Sequence, residues 1–133
     1  MRIGFIALVG GLLLGPSVLS AHHSFAAEYD ASKPVTLKGK VVKVEWVNPH
    51  SWVQVEVTGP DGKVTTWSCE TAPPNTLYRQ GWRRDSLKEG DMVTIEGYAA
   101  KDASATMTAR SVTLANGRRM LAGSNSEGAP PDK

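Results

Sequence analysis

Residues 51–70 decide the fold class: Ser51-Trp52-Val53-Gln54-Val55-Glu56-Val57-Thr58-Gly59-Pro60-Asp61-Gly62-Lys63-Val64-Thr65-Thr66-Trp67-Ser68-Cys69-Glu70. Val53, Val55 and Val57 alternate with Trp52, Gln54 and Glu56. Apolar side chains at every second position mark a strand with one buried face. Gly59-Pro60-Asp61-Gly62 is a turn, because glycine, proline and aspartate supply the backbone angles that turns need. Ser51–Val57 and Lys63–Glu70 therefore form a hairpin.

Working outward, Val35–Val47 is rich in β-branched residues and reads as one long or bent strand. Gly39 is its expected bend or bulge. Asn48-Pro49-His50 turns the chain from that strand into the hairpin. On the other side Pro73-Pro74-Asn75 ends the strand run. Asn75 is the expected cap of a short helix, with Leu77, Tyr78 and Gly81-Trp82 following. Met92–Tyr98 and Ala105–Leu114 are the remaining strands. Ala115-Asn116-Gly117-Arg118 is a tight turn with room for a short edge strand after it.

The order is β-β-β-α-β-β. It predicts a mainly β fold, a small five-stranded OB-like Greek-key barrel with one short helix between strands 3 and 4. The barrel domain is expected over residues 35–122. An extended N-terminal segment, 22–34, precedes it. A tail, 123–133, follows and is expected to be disordered, since its Ser, Asn, Glu, Gly, Pro, Asp and Lys have little to bury.

Residues 1–21 have the three parts of a secretory signal peptide. Arg2 gives the positive start and Ile3–Leu14 an apolar run. Gly15-Pro16-Ser17 breaks the helix before the small-residue end Val18-Leu19-Ser20-Ala21. The run is shorter than the ~18–20 apolar residues that span a bilayer. The expected location is the periplasm, with no stable membrane anchor after cleavage. The charge is close to balanced, with 15 Lys+Arg against 13 Asp+Glu. Nucleic-acid binding driven by counterion release needs a concentrated basic surface, so no nucleic-acid partner is expected. A peptide, glycan or protein partner in the periplasm stays open. A single cysteine, Cys69, cannot staple the domain. It reads as a small buried hydrophobe, with a soft metal ligand or an intermolecular disulfide as the alternatives.

Three histidines stand outside the regular elements: His22 and His23 at the expected new N-terminus, and His50 at the corner. Cleavage after Ala21 leaves His22 first, so its free amine and imidazole can chelate one ion while His23 or His50 adds a second imidazole. Cleavage after Ser20 leaves Ala21-His22-His23, which places a histidine third from a free amine. Nitrogen donors in a tetragonal arrangement suit Cu(II). Val18 and Ser20 fit the −3 and −1 positions for the second cut. Ala21 at −1 fits the first cut well and Leu19 at −3 less well, so both remain. The metal reading takes His22, His23 and His50 as ligands. The metal-free reading takes Trp46, Trp52, Trp67, Tyr78 and Trp82 as a ring-rich surface for a partner. The acids Glu28, Asp30, Glu45, Glu56, Glu70, Asp85, Asp91 and Glu96 show no catalytic spacing. No nucleophile elbow, phosphate loop or zinc-protease motif is present. A binding protein is expected rather than an enzyme.

Several short stretches add a further indication. They are His22-His23-Ser24-Phe25, Glu28-Tyr29-Asp30, Leu37-Lys38-Gly39 and Val44-Glu45-Trp46-Val47-Asn48-Pro49-His50. Pro74-Asn75, Leu77, Gly81-Trp82, Leu87-Lys88, Gly90-Asp91 and Gly97-Tyr98 continue the series. Together they resemble the bacterial "domain of unknown function 6152" family over about residues 22–119. The resemblance implies a small periplasmic domain with no assigned activity. It draws attention to the histidines and supplies no mechanism.

Overall fold

The computed structural model describes residues 25–123. The expected leader, His22 and His23, and the tail from Ser124 onward lie outside the described residues. The elements are α1 (Phe25–Glu28), β1 (Tyr29–Glu45), β2 (Ser51–Thr58), β3 (Val64–Thr71), α2 (Pro74–Arg79), β4 (Met92–Ala100), β5 (Thr106–Leu114) and β6 (Arg119–Leu121).

The strands run in the order β3-β2-β1-β4-β5-β6, and β3 also pairs with β5. That last pairing is parallel, through Ser68–Thr106, Cys69–Met107 and Glu70–Thr108. It closes β1-β2-β3-β5-β4 into the ring expected of an OB-like Greek-key barrel, with α2 inserted between β3 and β4. β6 adds a short antiparallel edge to β5.

β1 serves two neighbours in turn. Pro34–Lys40 lies against β4, and Lys40–Glu45 lies against β2. Gly39 sits at the handover, where a Cβ would stand 2.4 Å from the carbonyl oxygen of Glu56. The register shift expected there falls instead between Val41 and Lys43. Gly39 thus permits a close crossing of strands and does not itself form the bulge.

β1 also begins six positions before the expected Val35, at Tyr29, which pairs with Ala100 of β4. The stretch between hides this from a pattern reading. The Asp30 carboxylate accepts from both the backbone N–H and the hydroxyl of Ser32, a turn-like arrangement without alternation. The register with β4 shifts across the same residues.

Alternation in the hairpin delivers Val53, Val55 and Cys69 to the interior, where they meet Ile95, Met107 and Val112. Each fully buried aliphatic side chain of this kind contributes about 1.5–3 kcal/mol relative to exposure. At Gly97 two strands touch: a Cβ there would lie 1.9 Å from the Thr108 carbonyl oxygen.

α2 closes one end of the barrel. It starts at Pro74, with Pro73 in the cap position and no side-chain cap. Asn75 therefore lies within the first turn and is not the cap, because proline is already set for the first helical position. The helix stops in a Schellman motif: Gly81 takes a positive φ, its N–H donates to Tyr78, and the Trp82 N–H donates to Leu77. Leu77 and Trp82 then point into the barrel. The Trp82 indole N–H donates to the Leu121 carbonyl at 2.7 Å, tying this end to β6. Gln80 likewise donates to the Gly123 carbonyl at 2.9 Å. Among the described residues no helix is long and apolar enough to cross a membrane.

Candidate functional site

The corner between β1 and β2, residues 46–50, carries a different constellation at each of its ends. Its Asn48–Pro49 peptide is cis.

At the far end stands His50. Its Nδ1 lies 3.3 Å from Oε1 of Glu70. The other carboxylate oxygen, Oε2, accepts a hydrogen bond from the Tyr29 hydroxyl at 2.6 Å. Three elements build this chain: the corner, β3 and the first residue of β1. Strand parity explains the Glu70 position. Cys69 faces inward, so Glu70 faces outward, opposite Trp52 on β2. The Glu70 side chain is 13% exposed and that of His50 31%. Burial, followed by the hydrogen bond to Glu70 and the charge on it, pushes the Tyr29 phenol well above its ordinary range. Tyr29 is therefore a fixed donor at any pH the protein meets.

This arrangement determines what His50 can offer. Nδ1 faces the carboxylate, so a neutral imidazole that carries its proton there has its Nε2 lone pair for a ligand. A histidine braced by a carboxylate on one nitrogen is the usual form of a metal-ligating imidazole.

The N-terminal approach is pinned beside the same group. The Phe25 ring lies 6.0 Å from Tyr29 and 5.6 Å from Tyr98, edge-on to the latter. The Lys101 N–H donates to the Glu28 carbonyl at 2.9 Å, and the Lys101 ammonium donates to the Ala26 carbonyl. His22 and His23, the other two expected ligands, lie outside the described residues. Among the described residues no three His, Cys, Asp or Glu side chains group to hold a metal ion. Cys69 is fully buried on the opposite face of β3 from Glu70, and burial pushes its thiol up to about 12. It belongs to the core.

At the near end of the corner stands Trp46. Its ring lies 5.7 Å from Tyr78 and 6.2 Å from Trp82. The Arg84 guanidinium sits 5.9 Å from the Trp46 centroid, and the Arg83 guanidinium 5.7 Å from that of Tyr78. Trp82 has no exposed surface, so it is removed from the ligand-surface set: its ring plugs the barrel end. Trp67 packs on the edge of the core. Trp52 is on the outer face of β2, between Glu45 and Glu70 of the neighbouring strands. The five rings therefore do not share one surface; only Trp46 and Tyr78 are joined and accessible. Glu45 and Glu56 each pair with a lysine, Lys43 at 2.7 Å and Lys40 at 3.5 Å. They form a solvated strand face.

Sequence reasoning gave neither Tyr29 nor Glu70 a part in the site. Parity from the buried Cys69 would have placed Glu70 outside. Nothing local points Tyr29 at a residue 41 positions away.

Among the solved structures that match this chain is the mitochondrial single-stranded DNA binding protein Rim1 from S. cerevisiae. The match has 10% identity and a TM-score of 0.49, and it covers 62% of this chain and 93% of that one. No curated protein matches the chain. A family of unknown function, DUF6152, matches residues 12–109. With most of its length matched, the chain belongs to the DUF6152 family.

Proposed function

We propose that this is an exported periplasmic protein that binds a copper-type ion, Cu(II), through His50 and its processed N-terminal histidines, His22 and His23. The observation that carries the reading is the brace on His50. A carboxylate 3.3 Å from Nδ1, itself held by a tyrosine, commits the imidazole to offering Nε2. A corner histidine that merely satisfied nearby backbone groups would not need such support.

Reach favours the same reading. Phe25 packs on Tyr29, and Tyr29 holds Glu70. His23 is two residues before Phe25 and His22 three, and a chain spans about 3.3–3.6 Å per residue. Both histidines are thus within about 7–11 Å of chain from Phe25, which packs on the tyrosine that holds the Glu70 partner of His50. If processing leaves His22 first, its amine and imidazole supply two nitrogens and His50 Nε2 a third. If it leaves Ala21 first, the N-terminal residues fill a plane by themselves and His50 serves beside it. Neutral nitrogen donors in either set suit Cu(II). The role is binding, buffering or delivery.

Native and denaturing mass spectrometry of the protein released from the periplasm tests this. The expected result is a chain beginning at Ala21 or His22 that retains one copper ion natively and loses it on denaturation. A mature chain beginning after His23 would remove two of the proposed ligands, one that keeps its leader would lack the free amine beside them, and either would overturn the reading.

A further inference from the structure

We infer that the Arg84–Trp46–Tyr78–Arg83 row is a docking surface for an acidic segment of a partner protein. The order of the row follows from its contacts: guanidinium on ring, ring on ring, ring on guanidinium, at 5.9, 5.7 and 5.7 Å. Tyr78 is 38% exposed and the neighbouring Val47 48%. Arg83 and Arg84 are exposed, as is Arg79 on α2. Among the described residues none of these three arginines has a carboxylate within ion-pair distance, although the lysines at 33, 40 and 43 all do.

The row is also held in place. One Arg83 nitrogen donates to the Trp82 carbonyl at 2.7 Å and to the Tyr78 carbonyl at 3.3 Å. Arginine has five N–H donors, so most remain to be used. A guanidinium lying over a ring keeps its edge free for a carboxylate, which it grips with two parallel hydrogen bonds. Tyrosine, tryptophan and arginine are the side chains that anchor protein interfaces.

Charge decides the class of partner. An anionic membrane is held by clusters of about four to eight basic residues; here there are three, and Asp85 follows Arg84 directly. Single-stranded nucleic acid needs a basic groove that tracks its backbone, and Asp85 and Glu89 interrupt any such track. A short segment with two carboxylates around an apolar side chain matches two guanidinium groups around two rings. The inference does not depend on the metal reading, since Trp46 and His50 stand at opposite ends of the corner.

The test uses the processed protein and a fluorescein-labelled ten-residue peptide, glutamate throughout with one central leucine. Binding is read by fluorescence polarisation and by the shift of the Trp46 indole N–H resonance. The expected result is saturable binding that shifts that resonance. R83Q/R84Q should weaken binding at least tenfold and Tyr78→Ser at least fivefold, with thermal transitions unchanged. A glutamine version of the peptide should not bind. The inference is overturned if the wild-type protein ignores the acidic peptide, if R83Q/R84Q binds it equally well, or if the glutamine peptide binds as tightly. It is also overturned if a twenty-nucleotide single-stranded DNA or phosphatidylglycerol vesicles bind more tightly than the peptide through the same arginines.

Discussion

Nδ1 of His50 faces Oε1 of Glu70 across 3.3 Å, and the opposite oxygen of that carboxylate is held by Tyr29 at 2.6 Å. A corner residue, a strand residue and the start of the first strand are thereby joined in one polar chain, a hydrogen bond at its Tyr29–Glu70 link and a close contact at its Glu70–His50 link. Its polar groups are turned toward one another, and the unbraced nitrogen of His50 is left to act.

The first consequence concerns metal affinity. Glu70→Gln keeps the shape of the side chain but removes the charge that favours a proton on Nδ1 of His50. Loss of such a supporting carboxylate typically lowers metal affinity about 10–100-fold. Competitive Cu(II) titration of the processed protein should show a drop in that range, with the circular dichroism spectrum unchanged. Unaltered affinity would mean that the carboxylate does not serve a ligand.

Stability at high pH is the second. Tyr29 and Cys69 both hold their protons more tightly folded than unfolded, where their ordinary values are 10.0 and 9.0. Their contribution is complete below pH 9 and is lost as pH rises, because the unfolded chain releases protons that the folded chain keeps. Each group adds a slope of up to about 1.4 kcal/mol per pH unit. For Cys69 the loss continues to about pH 12. Urea melts between pH 8 and 11 should show this decline. Cys69→Ala should flatten it from pH 9 upward and Tyr29→Phe from pH 10. Equal slopes in all three proteins would contradict the assignment.

A third prediction tests barrel closure. At Gly97 an added Cβ would fall 1.9 Å from the Thr108 carbonyl oxygen and 2.8 Å from the end of Met107. The side chain can shift but the backbone cannot. Overpacking of this kind costs about 1–3 kcal/mol, occasionally more. Gly97→Ala should lower the denaturation midpoint accordingly. A neutral result would mean that β4 and β5 are not this close.

Behind the His50–Glu70 pair, on the inner face, Ser51 and Thr71 are partners across β2 and β3. Their buried hydroxyls make no hydrogen bond with the described residues. An unsatisfied buried hydroxyl contributes nothing favourable, and an apolar group of the same shape is neutral or stabilising in its place. Thr71→Val should leave the unfolding free energy unchanged or raise it. A loss above about 1.5 kcal/mol, the size of a hydrogen bond, would show that the hydroxyl is bonded after all.

Much of the barrel was legible in sequence because alternation is a local signal. Val53 and Val55 announced their own burial, Gly59–Gly62 the hairpin and Pro73-Pro74 the end of the strand run, while the helix start was placed late, with Asn75 as its cap. The closing β3–β5 pairing followed only by analogy with strand order, since nothing in Ser68–Glu70 names Thr106–Thr108 as its partner. The start of β1 was hidden by the turn at Asp30. The site was legible by parts. His50 stood out at its corner, whereas Tyr29 and Glu70 meet only because the first strand begins early and runs along β4. The tryptophans were over-read as a set: residue type cannot separate Trp82, wholly inside, from Trp46 on the rim.

The most direct test of the metal site is the Cu(II) affinity of three chains measured side by side: the processed protein, the same protein with its N-terminal amine acetylated, and the processed protein carrying His50→Ala. A site built from the free N-terminus and His50 predicts that acetylation weakens binding at least a hundredfold and that His50→Ala weakens it measurably, with the fold intact in each. Equal affinity in all three would contradict the account.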